Sequence, residues 1–135
     1  MDSGDPMHII ILSQKSPRAT ALQTMISDGL GENAVVSLLT LNDIIKADSG
    51  PQKNICIVDL MSSEDAARAT LAKVREAMPM AGIIAMHIYN TAELVQPLID
   101  QGADGYLSYD PSRHELIGCI RDVAAGKIYL PAYIR

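Results

Sequence analysis

The feature that most constrains this chain is an alternation. A short run of consecutive apolar residues is followed by a segment with apolar residues at helical spacing, and the pair recurs five times. The first run, Met7-His8-Ile9-Ile10-Ile11-Leu12, is rich in β-branched residues and apolar at successive positions, as a strand covered on both faces would be. Ala34-Val35-Val36-Ser37-Leu38-Leu39, the segment 55–60, Gly82-Ile83-Ile84-Ala85-Met86-His87 and the segment 105–109 repeat the pattern.

Helix signals stand between the runs. Ser16-Pro17 supplies an N-cap and first helical residue ahead of Leu22, Met25 and Ile26, with Gly29 and Gly31 as stops. Thr40 and Asp43 have capping-box spacing for a short helix over 41–47, and Asp48-Ser49-Gly50-Pro51 reads as a loop. Ser62 or Ser63 caps a helix running to about 78, with Glu64 and Arg68 one turn apart on its wet side and Pro79 as its stop. Asn90 with Glu93 opens a helix reaching Gly102, in which Pro97 kinks the backbone or leaves a carbonyl unpaired. Asp110-Pro111, or Ser112 with Glu115, starts the last helix. Its apolar stripe is Leu116, Ile117, Ile120, Val123 and Ala124, and Gly126 closes it.

Strict strand–helix alternation with doubly covered strands implies a parallel sheet with helices on both faces. Five such units predict an α/β flavodoxin-like, doubly wound sheet of strand order 2-1-3-4-5 with five helices. At 135 residues there is room for one domain. Its expected span is 7–130, with 1–6 as an N-terminal extension and 131–135 as a tail or the start of a linker. The end of the chain carries Ile128, Tyr129, Leu130, Tyr133 and Ile134, which need covering by the last helix or by a further domain.

Composition then limits function. A formal charge of −5 gives no electrostatic pull toward a phosphate backbone, so this domain itself is not expected to bind nucleic acid. No apolar run approaches a membrane span, and the polar, acidic start is unlike a signal peptide, so the expected compartment is the cytoplasm. Cys56 and Cys119 are too few for a disulfide framework and read as buried small hydrophobes. Phe and Trp are absent, which leaves the core to Ile, Leu, Val, Met and Ala.

In open parallel sheets ligands bind beyond the carboxyl ends of the strands. That edge nominates Ser13 and Gln14 after the first strand, Asp59 on the third, His87 on the fourth and Tyr109 on the fifth. A carboxylate ending an apolar central strand is costly unless paired, hydrated or used. The three histidines, His8, His87 and His114, lie on different elements without ligand spacing, so no metal site is expected from them.

Two stretches carry a family likeness: Ile57-Val58-Asp59-Leu60, and Gln101-Gly102-Ala103-Asp104-Gly105-Tyr106-Leu107 followed by Glu115-Leu116-Ile117 and Ala124-Ala125-Gly126. On them the chain resembles the receiver domains (CheY-like) of two-component response regulators, of the NarL/LuxR type, over residues 7–130. The resemblance implies that Asp59 stands at the phosphoacceptor position and that Tyr106 is the aromatic that changes rotamer on activation. It also implies a non-enzymatic signalling module whose partner is a histidine kinase or another signalling protein. Homodimers are common in the family, through helix 1, helix 5 or the face of helix 4, strand 5 and helix 5. That last face, around Tyr106, Asn90 and Arg121, would be the output surface.

The reaction centre departs from the family pattern. Ser13 and Gln14 replace the acidic pair that holds Mg²⁺, His87 replaces a Ser or Thr, and Tyr109 replaces the Lys. The Pro-Gly expected after the phosphoacceptor is Leu60-Met61-Ser62-Ser63. Asp59 alone offers only a weak Mg²⁺ site, so neither metal nor other cofactor is expected. A neutral Tyr hydroxyl cannot supply the charge of a Lys, though a protonated His87 would. The expectation is a degenerate phosphorylation site, a pseudo-receiver acting through protein contacts. One alternative is a receiver phosphorylated at Asp59 in the ordinary way that controls a helix-turn-helix DNA-binding domain. Another is a flavin or nucleotide binder using the loop Ser13-Gln14-Lys15-Ser16-Pro17-Arg18, whose two cations and helix start suit an anion but which has no glycine.

Overall fold

Every one of the five apolar runs becomes a strand in the computed structural model of the protein, which describes residues 6–46, 54–62 and 65–134. In chain order the elements are β1 (Met7–Leu12), α1 (Pro17–Leu30), β2 (Ala34–Leu39), α2 (Leu41–Lys46), β3 (Ile55–Asp59), α3 (Ala67–Ala77), β4 (Gly82–His87), α4 (Ala92–Asp100), β5 (Gly105–Ser108) and α5 (Arg113–Ala124). The sheet order is β2-β1-β3-β4-β5 and every pairing is parallel, as expected. Register aligns Ile11 with Ile57, Ile57 with Ile84, and Met86 with Leu107.

Alternation along the strands divides the core in two. Ile9, Ile11, Ile57, Ile84, Met86 and Leu107 face α1 and α5, where Leu22, Ile26, Leu116 and Ile120 meet them. Cys56, Val58, Ile83, Ala85 and Tyr106 face the other side, under Ile44 of α2, Leu71 and Val74 of α3, and Val95 and Leu98 of α4. Both thiols are buried and free. Burial pushes the Cys56 thiol up to about 12 and moves Cys119 in the same direction.

Most caps act as the sequence implies. Ser16 accepts from the Ala19 N–H at 3.1 Å ahead of Pro17. Thr40 and Asp43 bond each other's backbone N–H reciprocally, as do Ser112 and Glu115. The Asp104 of the Gly-Ala-Asp-Gly motif accepts from the Ile83 N–H at 2.9 Å and from Arg75 at 3.2 Å. Arg75 also donates to the carbonyls of Pro79, Ala81 and Gly102, tying the end of α3 to the starts of β4 and β5.

Several expectations are corrected. Gly29 does not stop α1 but lies inside it, where an added Cβ would come within 2.6 Å of Ile117 Cδ1; its role is the close approach of α1 to α5. The stop is Gly31, at φ 58°. The third strand ends at Asp59, and Leu60–Ser62 form a 3₁₀ turn. Helix α3 begins at Ala67 behind an Ala66 cap, while Ser62 lies in the 3₁₀ turn and its hydroxyl donates to the Asp59 carbonyl at 3.1 Å; Ser63 and Glu64 lie outside the described residues. Helix α4 is capped at Thr91 rather than Asn90 and ends at Asp100, with Pro97 inside it, and β5 stops one residue short of Tyr109.

The end of the chain packs back. Tyr129 forms a parallel bridge with Gly105 at the outer edge of β5, its carbonyl accepting from the Tyr106 N–H at 3.1 Å. Ile134 is buried in the same core cluster as Tyr106, and Leu130 packs against that cluster. A domain boundary at 130 therefore leaves a core residue outside it. Among the described residues no helix is long and apolar enough to cross a membrane.

Candidate functional site at the carboxyl edge of the sheet

Strands β1 and β3 run side by side, so the loop after β1 and the end of β3 meet. Asp59 lies there at 3% exposure, and both oxygens of its carboxylate have partners. The Ser13 hydroxyl donates to Oδ2 at 2.9 Å and the Met61 N–H donates to Oδ1 at 3.0 Å. The third partner is Arg18, in the first turn of α1, whose guanidinium forms an ion pair with Oδ2.

Arg18 reaches further than Asp59. Its Nη1 lies 3.4 Å from the Tyr109 carbonyl and 3.4 Å from the Met86 sulfur, and its guanidinium carbon sits 3.9 Å from the centroid of the Tyr109 ring. A guanidinium suits such a place because its planar fork donates in several directions, stacks on an aromatic face and holds its charge at any physiological pH.

Ser13, Gln14 and Asp59 line one cleft of about 570 Å³, bordered by α2 and α3 and shared with Ile45, Asp65 and Lys73. Tyr109 and His87 are not in it. Arg18 links Tyr109 to Asp59. His87 stacks its ring on Tyr89, with centroids 4.2 Å apart and planes at 27°, and its Nδ1 accepts from the Ile88 N–H at 2.9 Å. Burial lowers the His87 pKa from 6.5, and the negative charge of Asp59 only partly opposes this. The five nominated positions therefore share one edge without all converging on one carboxylate.

Tyr106 is fully buried, so it does not stand on the surface proposed for output. The single proton of its hydroxyl is shared between the carbonyls of Tyr89 at 2.7 Å and His87 at 2.9 Å, and burial raises its pKa above the phenol range. Arg121 does not share a face with Asn90 either: it lines the groove between α5 and α1, beside Asp28 and Gly29. The proposed output surface is thus split between two sides of the molecule.

The functional residue that sequence reasoning placed wrongly in context is Arg18. It was visible as a cation near the start of a helix, and the available signal was its position in the turn that overhangs the carboxyl edge. Magnesium does not fit these residues. It asks for several oxygen ligands in octahedral array, whereas of the two carboxylates lining the cleft Asp59 already accepts from Ser13, Met61 and Arg18, and Asp65 pairs with Lys73 at 2.7 Å. Among the described residues no group of three metal-ligating side chains gathers.

No protein-family model matches the chain, and comparison with curated proteins finds no significant match. Solved structures match over nearly the whole chain. A LuxR family DNA-binding response regulator from Silicibacter pomeroyi is 17% identical with a TM-score of 0.75, covering 95% of this chain and 99% of that one. A LuxR family two-component response regulator from Aurantimonas sp. SI85-9A1 is 15% identical with a TM-score of 0.79, covering 96% and 93%. The RcsB response regulator of Salmonella typhimurium is 15% identical with a TM-score of 0.77; 96% of this chain spans 65% of that one, about two thirds of its length. The fold of this chain is that of the receiver domains of LuxR-type response regulators.

Proposed function

We propose that this chain is a receiver module of two-component signalling that works without phosphorylation, as a cytoplasmic pseudo-receiver acting through protein contacts. The observation that carries the reading is the Arg18–Asp59 ion pair. Phosphoryl transfer needs a free carboxylate oxygen as nucleophile and cations around the transferring group. Here the carboxylate is held by an internal cation, and the positions that would bring Mg²⁺ and a lysine carry Ser13, Gln14 and Tyr109. The partner is a histidine kinase or another signalling protein. A contact surface of this kind would use the start of α4, where Ile88 and Leu94 are exposed beside Asn90. The test is an amide NMR titration with beryllofluoride and Mg²⁺. Resonances near Asp59 and Tyr106 should stay in place; shifts running from one to the other would refute the reading.

A second reading draws on the RcsB comparison, where this chain matches about two thirds of a longer regulator. In it the receiver is phosphorylated at Asp59 and governs a DNA-binding domain elsewhere in a longer chain. Hydroxylamine- and alkali-labile phosphate on Asp59 after treatment with acetyl phosphate would favour it.

A further inference from the structure

We propose that Arg18 is a positioning residue: a built-in latch that clasps the ends of β3, β4 and β5 and sets the β4–α4 loop through Tyr106. The inference deepens the reading above and rests on it. Arg18 touches the Asp59 carboxylate at the end of β3, the Met86 sulfur in β4 and both the ring and carbonyl of Tyr109 just past β5. Met86 belongs to the core cluster under α1 and α5, so this clasp closes on that face of the sheet.

Tyr106 makes a second clasp from the opposite face, where it packs with Val95 and Leu98 of α4. Its hydroxyl holds the carbonyls of His87 and Tyr89. The two clasps grip neighbouring residues of the same strand pair: Met86 precedes His87 on β4, and Tyr109 lies three residues beyond Tyr106. Register sets Ala85 against Tyr106 and His87 against Ser108. A slide of the β5 end that frees Tyr109 from Arg18 changes the span that the Tyr106 hydroxyl must bridge. Where an ordinary receiver would be biased by an added charge, this one carries its cation permanently and presents one arrangement of the loop.

The test compares amide hydrogen exchange and chemical shifts in the whole chain for the wild type, Arg18→Ala, Arg18→Lys and Tyr109→Leu. Arg18→Ala should speed exchange across residues 88–91 about five-fold or more, and Tyr109→Leu should do so with the Asp59 ion pair still in place. Arg18→Lys, which keeps the charge without the fork, should fall between. Effects confined to residues 13–18 and 59–62 would overturn the latch. If Arg18→Ala does not fold, Tyr109→Leu decides alone, and an unchanged 88–91 segment in it overturns the proposal. The two claims fail separately: a beryllofluoride response of the wild type ends the phosphorylation-independent reading, whereas silent exchange at 88–91 ends the latch.

Discussion

The guanidinium of Arg18 lies over the ring of Tyr109 while pairing with the carboxylate of Asp59, so one side chain joins the first helix to the ends of two strands. The partners differ in access to water: the Asp59 side chain is 2% exposed and that of Arg18 is 24%. Losing the arginine leaves a buried carboxylate with only the Ser13 hydroxyl and the Met61 N–H as partners, whereas losing the aspartate leaves a cation that can turn outward. Arg18→Ala should therefore destabilise by about 2 kcal/mol and Asp59→Ala by about half that. Urea denaturation measures both; an equal or reversed order contradicts the asymmetry.

Tyr106→Phe keeps the buried ring and removes only the hydroxyl bridge to His87 and Tyr89. The expected cost is about 1 kcal/mol, since the loop carbonyls can recover water. Exchange at residues 88–91 should quicken while the sheet amides of β1 and β3 keep their protection.

Two glycines should answer alanine with opposite signs. A Cβ at Gly82 would meet Val123 Cγ1 at 2.6 Å and Ile55 Cδ1 at 3.0 Å, where α5 lies close on the sheet. Gly82→Ala should cost about 1–3 kcal/mol. Gly118, within α5, has nothing within 4 Å of that position, and Gly118→Ala should stabilise by about 0.5–1 kcal/mol. Thermal melts of the pair settle the sign.

The lowered pKa of His87 has a direction in pH. Its folded value lies below 6.5, so the unfolded chain takes up the proton first as pH falls. The stability this group contributes is present above 6.5 and is lost as pH drops from there toward the folded pKa. Denaturation midpoints measured between pH 7.5 and 5.5 should fall less steeply in His87→Gln than in the wild type.

Removing residues 131–135 takes Ile134 out of the core it shares with Tyr106. The loss should be about 2 kcal/mol, the value of one buried aliphatic side chain. An unchanged denaturation midpoint would show that the domain ends at 130.

The sheet was legible because its information is local: doubly buried strands such as β3 and β4 need apolar residues at successive positions, and β1, β2 and β4 have the limits read from their runs, although β2 lies at the sheet edge with Val35 exposed. The misread helix boundaries have a shared physical origin in competition for the same short side chains. Ser62 looked like a cap but bonds the Asp59 carbonyl, and Gly29 looked like a stop but makes room for Ile117. The edge of the sheet located Asp59, Ser13 and Gln14 in one cleft. Arg18 was harder, since its pairing spans 41 positions and depends on how far the first turn of α1 overhangs β3. The family pattern drew attention to the end of β5 for a cation, whereas the cation comes from α1.

The burial of both native thiols has a practical consequence. With Cys56 at 0% exposure and its pKa pushed up to about 12, and Cys119 equally enclosed, neither presents a thiolate to a maleimide at neutral pH. A cysteine introduced on the surface would be the single reactive handle. Fluorophores or spin labels can then be placed without first replacing a wild-type residue.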